Sequence, residues 1–330
     1  MHVLITGGAG FIGSHLAERC LAESWKVSIL DNLSTGAMTN IAHLKLRPAF
    51  SYTIDSVLNE RVVAELVDSA DAVFHLAAAV GVKMAVDHPR HTIETNVDGT
   101  ALVLRCAARK NKPLVLASSS EVYGKSDRLP FREDADILLG PANISRWSYA
   151  LSKATDESLA LAYWQEQWLP VTIARFFNTV GPRQTGRHGM VLPTLVRQAL
   201  GGEPITVHGT GEQRRCFAYV GDVAETLVRL VQTPEAAGQI VNVGSDQEVS
   251  MNELAALVKE ITGSPSPVRH VSYGEAYGPG FEDMPRRVPC LKKLESLVRY
   301  RPTTALEAIV RRVVDYEWTR MPTRTLAAAV

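Results

Sequence analysis

A glycine-rich turn close to the first residue constrains the fold of this chain more than any other feature. The apolar run His2–Thr6 breaks into glycines and then resumes at helical spacing. Gly8, Gly10 and Gly13 fit the pattern G-x-G-x-x-G, and Gly7, Gly10 and Gly13 fit G-x-x-G-x-x-G. Glycine has no Cβ, so the backbone can turn sharply there and lie close to a pyrophosphate. The N–H groups and the positive dipole end of the following helix would then hold the phosphate charge.

An acidic residue follows the glycine turn at the distance that is typical of dinucleotide-binding folds. Asp31 follows the apolar run Lys26–Leu30 and lies 18 residues after Gly13. A carboxylate at that point accepts hydrogen bonds from a ribose diol and repels a 2′-phosphate, so the pattern favours NAD over NADP. The alternative is a tight turn followed by a surface aspartate.

Composition argues against several other classes of function. Of the 330 residues, 46% are hydrophobic and 21% are charged, and 35 basic and 35 acidic residues give a formal net charge of zero. We therefore expect no nucleic-acid partner and no anionic membrane surface as a partner. No basic segment precedes the first apolar run, which glycines interrupt, so we expect neither a signal peptide nor a spanning helix.

The cysteines and histidines do not have the spacing of a metal site. Cys20, Cys106, Cys216 and Cys290 are scattered without a C-x-x-C pair, and the nine histidines include no H-E-x-x-H. We expect no disulfide framework, no bound metal and a reducing cytoplasmic location.

Short apolar runs alternate with helical patterns through the first half of the chain. The predicted strands are His2–Thr6, Lys26–Leu30, Phe50–Ile54, Ala72–His75, Leu114–Ser118 and Val171–Phe176. The predicted helices are Ile12–Ala22, Glu60–Asp68, Thr92–Lys110 and Tyr149–Trp168. This alternation is typical of βαβ units, so we predict an α/β fold with a doubly wound parallel sheet that binds a nucleotide.

The second half is less regular and predicts a smaller α/β C-terminal lobe that binds substrate. Its predicted helices are Leu192–Leu200, Val223–Gln232, Met251–Ile261 and Ala305–Trp318, and its predicted strands are Pro204–Val207, Cys216–Val220 and Gln239–Val243. Glycine and proline predict loops at residues 263–267 and 277–280. We place the cofactor-binding domain at residues 1–178, with returning segments near 215–245, and the substrate lobe mostly at 179–330.

Tyr149 and Lys153 are four residues apart in a predicted helix, which places both side chains on one face. An ammonium near a phenol lowers the pKa of the phenol, and a tyrosine tuned in this way can remove a hydroxyl proton. A coincidental surface pair is the alternative, and the glycine turn and Asp31 favour the catalytic interpretation.

Polar residues follow the fifth predicted strand in the run Ser118-Ser119-Ser120-Glu121. The carboxyl ends of parallel strands line the ligand crevice of such sheets, so these side chains are candidates for contacting a substrate. Serines that cap the following turn would give the same pattern.

At this point the chain resembles the extended short-chain dehydrogenases/reductases, in the group of nucleotide-sugar epimerases, dehydratases and decarboxylases. The matching segments are T-G-G-A-G-F-I-G-S (6–14), D-N-L-S-T-G (31–36), H-L-A-A (75–78), N-V-D-G-T (96–100), S-S-S-E-V-Y-G (118–124), Y-A-L-S-K (149–153), R-F-F-N-T-V-G-P-R (175–183) and G-E-Q-R-R-C-F-A-Y-V-G-D-V (211–223). They occur in the family's order, and the resemblance implies a Rossmann fold, NAD as cofactor and a UDP-sugar as substrate.

The resemblance also assigns residues to the two ligands. The expected cofactor contacts are Gly7, Gly10, Phe11, Ile12, Gly13, Asp31, Asn32, Ser34, Ser56, Val57, Leu76, Ala77, Ala78, Asn96, Tyr149 and Lys153. The expected substrate contacts are Ser120, Arg146, Asn178, Arg215 and Arg287, with Asn178 and Arg215 on the diphosphate. The sequence departs from the family at Ser56, where an aspartate usually contacts adenine.

Three segments favour a decarboxylase within this group. Ser120-Glu121 is the pairing of UDP-glucuronate decarboxylases, whereas dehydratases have Asp-Glu and galactose-type 4-epimerases have a small residue in place of the glutamate. Residues 140–149 resemble the G-P-x-N-x-x-R-W-x-Y segment of bacterial UDP-glucuronate decarboxylases and of plant UDP-apiose/xylose synthases. Residues 277–289 resemble the loop that carries the catalytic arginine of those enzymes, which matches Arg287.

One segment favours a different outcome. Residues 79–83, Ala-Val-Gly-Val-Lys, look more like uronate or glucose 4-epimerases. The functional cysteines of the apiose synthases have no counterpart here, which argues against ring contraction. Arg146 and Arg287 could also be diphosphate-binding or structural arginines.

The resemblance implies oxidation of the sugar at C4, followed by decarboxylation of UDP-glucuronate to UDP-xylose. Tyr149 would be the base, Lys153 would tune it, and Ser119 would align the hydroxyl. Glu121 would handle a proton or water at C5, and Arg287 would hold the carboxylate. The alternatives are a UDP-sugar 4-epimerase and a non-catalytic sensor of NAD(H). The family often dimerises through the two helices predicted at 92–110 and 149–168, so we expect a homodimer.

Overall fold

The fold was described from a computed structural model that covers residues 1–185, 190–277 and 283–321. The strands in these ranges are β1 (His2–Thr6), β2 (Lys26–Asp31), β3 (Phe50–Ile54), β4 (Ala72–His75), β5 (Leu114–Ser119), β6 (Val171–Phe176), β7 (Thr179–Val180), β8 (Ile205–His208), β9 (Arg214–Cys216), β10 (Ala218–Tyr219), β11 (Ile240–Val243), β12 (Glu248–Ser250), β13 (Val268–Val271) and β14 (Arg286–Arg287). The helices are α1 (Phe11–Ala22), α2 (Glu60–Ser69), α3 (Val82–Asp87), α4 (Pro89–Arg109), α5 (Ser148–Gln167), α6 (Val191–Leu200), α7 (Val220–Val231), α8 (Met251–Thr262), α9 (Tyr273–Tyr277), α10 (Lys292–Val298) and α11 (Leu306–Trp318).

Seven parallel strands form the central sheet in the order β11-β6-β5-β4-β1-β2-β3. Helices α1, α7 and α10 cover one face, and α2, α4 and α5 cover the other. Alternate residues of each strand enter opposite cores, so Val3 and Ile5 pack under α1 while Leu4 packs toward α2. The predicted α/β fold with a doubly wound parallel sheet is confirmed.

A smaller lobe follows the sixth strand of the chain. Helices α6, α8 and α11 share one apolar core, beside the pair β8-β13 and the three-stranded sheet β12-β9-β14. Strand β11 leaves this part of the chain to join the central sheet beside β6. The segment containing α10 also returns, because Leu294 and Val298 enter the core beneath α1 and α7.

The predicted elements agree with the structure to within three residues at their ends, with one exception. The single strand predicted at Cys216–Val220 is wrong. The chain changes sheets at Phe217, because β9 pairs with β12 whereas β10 pairs with β7. The buried Phe217 side chain packs into the core of the smaller lobe, and α7 already begins at Val220. The loop predicted at 277–280 lies mostly outside the described residues.

Candidate active site

A cavity of about 650 Å³ opens at the carboxyl ends of the central strands. Of the residues predicted to contact cofactor or substrate, all but Ser56 and Asn96 line it. The topology explains the gathering, since the carboxyl ends of parallel strands meet at one edge of a sheet and the polar loops lie there. The first lobe supplies the glycine turn and Tyr149, and the second supplies Arg215 and Arg287.

The glycine turn between β1 and α1 has the geometry of an anion cradle. Gly7 has φ +71°, and a Cβ on Gly13 would collide with the carbonyl oxygen of Gly7. Gly10 is the N-cap of α1 and caps it without a side-chain hydrogen bond. The N–H groups of the first helical turn are therefore open to an anionic ligand. This cradle fits the pyrophosphate of NAD, with Phe11, Ile12 and Gly13 at the cavity wall.

Asp31 closes the far side of the same turn. Its Oδ2 accepts a hydrogen bond from the N–H of Ala9 at 2.9 Å, and its Oδ1 accepts one from Leu33 at 2.7 Å. Burial raises the pKa of this carboxyl, and the backbone donors oppose that shift. A carboxylate has about four acceptor positions, so after the three backbone donors it can still accept from a ribose hydroxyl. Asn32 and Ser34 line the cavity beside it.

Ser56 and Asn96 do not line the cavity, and their contact with the cofactor stays a prediction. Ser56 Oγ accepts from the N–H of Leu58 at 3.1 Å, so it caps the turn before α2. Asn96 lies within α4, where its Oδ1 accepts from the N–H of Ala79 at 2.8 Å. Asn96 therefore lies behind the loop that lines the cavity and holds that loop in place. The acidic residue that does reach the cavity at this end is Asp55.

Tyr149 and Lys153 project from the first turns of α5 into the cavity. The Tyr149 phenol hydrogen-bonds Ser119. The pKa of this phenol is raised, contrary to the prediction that Lys153 lowers it. Burial raises the pKa of Tyr149, and the Glu121 charge adds to the effect. Lys153 does not compensate, because its Nζ donates to Asp156 Oδ2 at 3.1 Å.

Ser119 is the last residue of β5, and Ser120 is the first residue of a short 3₁₀ turn. Ser119 Oγ accepts from the N–H of Glu121 at 3.2 Å, so it caps that turn and meets Tyr149 at the same time. The capping and functional interpretations of this serine are therefore compatible. Ser120 is buried and lines the cavity.

Glu121 lies between two buried arginines from distant parts of the chain. Arg287 Nη1 donates to its Oε1 at 2.5 Å, and Arg146 Nη2 lies 2.6 Å from its Oε2. The charges of Arg287 and Arg146 outweigh the effect of burial and hold the pKa of Glu121 at about 2. The glutamate is therefore ionised at neutral pH. Arg287 Nε finds no hydrogen-bond partner among the described residues.

A second ion pair lies beside the first. Arg215 Nη2 donates to Asp283 Oδ2 at 2.8 Å, and the Tyr273 hydroxyl donates to the same oxygen at 2.9 Å. Burial and the nearby charge of Arg287 lower the pKa of Arg215 to about 10. Arg215 remains charged at neutral pH, and an anionic ligand would relieve its repulsion by Arg287. Three guanidinium groups therefore face two carboxylates. We call these five side chains the arginine cluster: Arg146, Arg215, Arg287, Glu121 and Asp283.

Asn178 lies at the mouth of this arginine cluster. Its Nδ2 donates to the carbonyl of Cys216 at 3.1 Å, and the backbone carbonyl of Asn178 accepts from the N–H of Ala218 at 3.1 Å. These bonds fasten the end of β6 to the strands that carry Arg215. The amide oxygen of Asn178 and its second N–H therefore remain for a ligand at the cavity wall.

Sequence reasoning missed several cavity residues with polar side chains. Tyr273 lies outside the matched segments, and Asp283 lies in the segment 277–289, where the resemblance singled out Arg287 alone. Both act through Arg215. Arg183 ends the quoted segment R-F-F-N-T-V-G-P-R, and its Nη2 donates to Glu18 of α1 at 2.6 Å. Arg183 joins the two lobes beside the glycine turn. Its position in that matched segment is the sequence feature from which it could have been predicted.

Comparisons with known proteins agree with this geometry. Residues 3–244 match the model of the NAD dependent epimerase/dehydratase family. The chain is 41% identical over 314 residues to a UDP-N-acetyl-alpha-D-glucosaminuronate decarboxylase of Bacillus cytotoxicus, covering 95% of this chain and 96% of that protein. It is 34% identical to UDP-glucuronic acid decarboxylase 1 of Xenopus tropicalis, covering 95% and 71%.

Solved structures add a second kind of relative. The UDP-glucuronic acid 4-epimerase of Bacillus cereus, in complex with UDP-glucuronic acid and NAD, has a TM-score of 0.88 at 27% identity. The similarity covers 97% of this chain and 100% of that one. The UDP-glucose 4-epimerase of Thermus thermophilus, in complex with NAD, has a TM-score of 0.84 at 29% identity, over 97% and 100%.

Proposed function

Because this chain belongs to the NAD-dependent epimerase/dehydratase family, we propose that it is an enzyme that removes CO2 from a UDP-linked hexuronate. UDP-glucuronate is the first candidate substrate, with UDP-xylose as its product. The cofactor is NAD. When bound, NAD accepts a hydride from C4 of the sugar and returns it, so that it is not consumed.

The observation that carries the proposal is the position of Glu121 between Arg146 and Arg287. A hexuronate brings a carboxylate, and a UDP-sugar brings a diphosphate. The arginine cluster has one positive charge more than its carboxylates balance, and Arg287 Nε is a buried donor without a partner in the described residues. Guanidinium groups bind carboxylates and phosphates through paired N–H donors. The cluster therefore suits a ligand with two anionic groups.

The residues of the first lobe act at C4. Tyr149 takes the proton of the 4-hydroxyl, and Ser119, which hydrogen-bonds the phenol, orients that hydroxyl. A ketone at C4 makes the C5 carboxylate part of a β-keto acid, which loses CO2 readily. The residues of the arginine cluster act at C5. Arg287 orients the carboxylate and stabilises the enolate oxygen charge, and Glu121 keeps Arg287 in place.

The best test is to incubate the purified protein with UDP-glucuronate and to follow CO2 and sugar-nucleotide products by NMR. A UDP-pentose with stoichiometric CO2 supports the proposal. UDP-galacturonate without CO2 would establish the 4-epimerase alternative. No turnover of any nucleotide sugar would favour the non-catalytic sensor. A parallel incubation with UDP-N-acetylglucosaminuronate tests the substrate named for the Bacillus cytotoxicus relative.

We also propose that the protein is a homodimer joined through α4 and α5. Ile93 is 38% exposed on α4, and Leu151 is 49% exposed on α5, so each helix presents an apolar side chain that a second copy would cover. Trp168, at the end of α5, is 70% exposed. Light scattering of the wild type and of Leu151→Glu tests this, and a monomeric wild type would contradict it.

A cytoplasmic location is proposed as well. The four cysteines are free thiols, and Cys20, Cys106 and Cys216 are buried. Among the described residues, no helix is long and apolar enough to cross a membrane. Fractionation of cells that express the protein would test the location.

A further inference from the structure

Asn242 is a buried residue of β11 that connects the two chain segments carrying Glu121 and Arg287. Its side chain is fully buried and does not line the cavity. Strand β11 forms one edge of the central sheet, so its outward backbone groups can bond the loops that cover this edge. The Asn242 N–H donates to Glu133 Oε1 at 2.9 Å, which fastens one of these loops to the strand.

The first connection reaches the 3₁₀ turn that carries Glu121. Tyr123 belongs to the same turn, and its hydroxyl donates to Asn242 Oδ1 at 2.7 Å. The Tyr123 ring is stacked on the ring of Phe131, with the two centroids 4.5 Å apart, and both rings are fully buried. The amide oxygen of Asn242 therefore fixes this turn through Tyr123.

The second connection reaches the segment that follows Arg287. Asn242 Nδ2 donates to the carbonyl of Phe131 at 2.9 Å and to the carbonyl of Cys290 at 3.3 Å. Phe131 also binds this segment through its backbone, because its N–H donates to Val288 at 2.7 Å and its carbonyl accepts from Cys290 at 2.8 Å. The NH2 group of Asn242 therefore fixes the chain just after Arg287.

The bond between Arg287 and Glu121 depends on support of this kind. Arg287 Nη1 donates to Glu121 Oε1 at 2.5 Å, although 166 positions separate the two residues. Glu121 lies in a turn of four residues, and Arg287 lies in a strand of two residues. Such short elements have few backbone hydrogen bonds of their own, so a satisfied network of buried side-chain bonds decides where they lie.

We propose that Asn242 is a positioning residue for the pair Glu121–Arg287. An amide suits this task, because its oxygen accepts from the Glu121 turn while its NH2 group donates to the Arg287 segment. The proposal rests on the proposed function only in taking Arg287 as the group that orients the substrate carboxylate. Without the amide the two segments lose their common support, and the guanidinium leaves the place that a substrate would meet.

An NMR measurement on the ¹⁵N-labelled full chain tests this without any sugar nucleotide. The Nε–H signal of buried Arg287 reports on the surroundings of its guanidinium and is assigned from its loss in Arg287→Lys. In Asn242→Ala this signal should shift or broaden. Thr172→Val is the matched control, because it also removes a buried side-chain hydrogen bond, from the Thr172 hydroxyl to the Ala236 carbonyl at 2.9 Å. The control should leave the Arg287 signal unchanged.

Tyr123→Phe decides the question if Asn242→Ala does not fold. It removes the hydroxyl that joins the turn to Asn242 and keeps the ring that stacks on Phe131. Arg175 loses a hydrogen bond to the same hydroxyl but keeps both of its bonds to Glu157. The Arg287 signal should therefore shift in this variant as well.

Two results would overturn the proposal. One is an unchanged Arg287 signal in folded Asn242→Ala, or in Tyr123→Phe where Asn242→Ala does not fold. The other is the same shift in Thr172→Val, because it would mean that any lost buried hydrogen bond loosens the pair.

Turnover separates positioning from stability. In Asn242→Ala and Tyr123→Phe, kcat for CO2 release should fall about 10-fold or more, because a misplacement of about 1 Å can cost about 10²-fold. Thr172→Val should also lower the melting temperature but should keep the wild-type kcat. Equal kcat values in Tyr123→Phe and Thr172→Val would contradict the proposal. If the NMR signals behave as expected but the wild type releases no CO2, the proposed function fails and the positioning of Arg287 by Asn242 stands.

Discussion

Arg287 donates to Glu121 at 2.5 Å, although 166 positions separate the two residues in the chain. The bond joins the turn after β5, in the first lobe, to β14, in the smaller lobe. Its two side chains are each 10% exposed, so little water screens it. The pair therefore joins the two lobes across the cavity. It also holds a guanidinium where a substrate carboxylate is expected.

Replacing Arg287 by lysine should reduce turnover strongly. Lysine keeps the charge but loses the planar set of donors that can meet Glu121 and a substrate carboxylate together. We expect kcat to fall about 10²-fold or more, as for loss of a transition-state contact. Arg286→Lys is the matched control, because Arg286 is the neighbouring residue of β14 and pairs with Glu248 at the surface. Steady-state assays of CO2 release compare the two, and equal kcat values would contradict the role of Arg287.

Replacing Tyr149 by phenylalanine should abolish turnover while NAD stays bound. The ring is retained and only the phenol oxygen that meets Ser119 is lost. General base catalysis contributes about 10²- to 10⁴-fold, so kcat should fall by that factor. Bound NAD is measured by absorbance after the protein is denatured. Tyr163→Phe, farther along α5, is the control, and a Tyr149→Phe enzyme with most of its activity would rule out this base.

The sequence predicted the central sheet and the cofactor turn well, because both depend on local patterns. Buried parallel strands are short continuous apolar runs, and the glycines of the turn are needed by the backbone itself. The pair Arg287–Glu121 depends on how the lobes meet, and the pair Arg215–Asp283 depends on long-range packing within the smaller lobe. No local pattern encodes either contact. The expected effect of Lys153 on Tyr149 was wrong for a similar reason. The helical spacing of the pair was correct, but it could not show that Asp156 holds the ammonium.

Replacing Gly13 by alanine should weaken NAD binding and destabilise the protein. A Cβ there would collide with the Gly7 carbonyl and would lie 2.8 Å from Gly8 Cα, so the turn must open. We expect NAD affinity to fall at least about 10-fold, which corresponds to about 1.4 kcal/mol. Gly274→Ala is the control, since its Cβ would meet nothing within 4 Å. Calorimetric titration with NAD checks this, and equal affinities would show that the turn tolerates a side chain.

Stability should fall as the pH drops below about 6.5, because His75 is buried in its neutral form. Burial and Lys153 lower the pKa of His75 from 6.5 to about 3 in the folded protein. Between these values the unfolded chain binds a proton that the folded protein does not bind, so the free energy of unfolding decreases with decreasing pH. For this one group, the loss between about pH 7 and pH 5 is about 2 kcal/mol. Urea unfolding at both pH values measures it.

The variant His75→Gln separates this effect from those of other histidines. Glutamine can still hydrogen-bond Thr6 or Thr100 but does not titrate, so its stability should change less between the two pH values. His2, His15 and His208 also have lowered pKa values and keep part of the pH dependence in the variant. The window stays above the pKa of Glu121, which is about 2. The same pH dependence in wild type and variant would show that His75 takes up its proton as readily in the folded protein as in the unfolded chain. The neutral His75 between Thr6 and Thr100 would then be wrong.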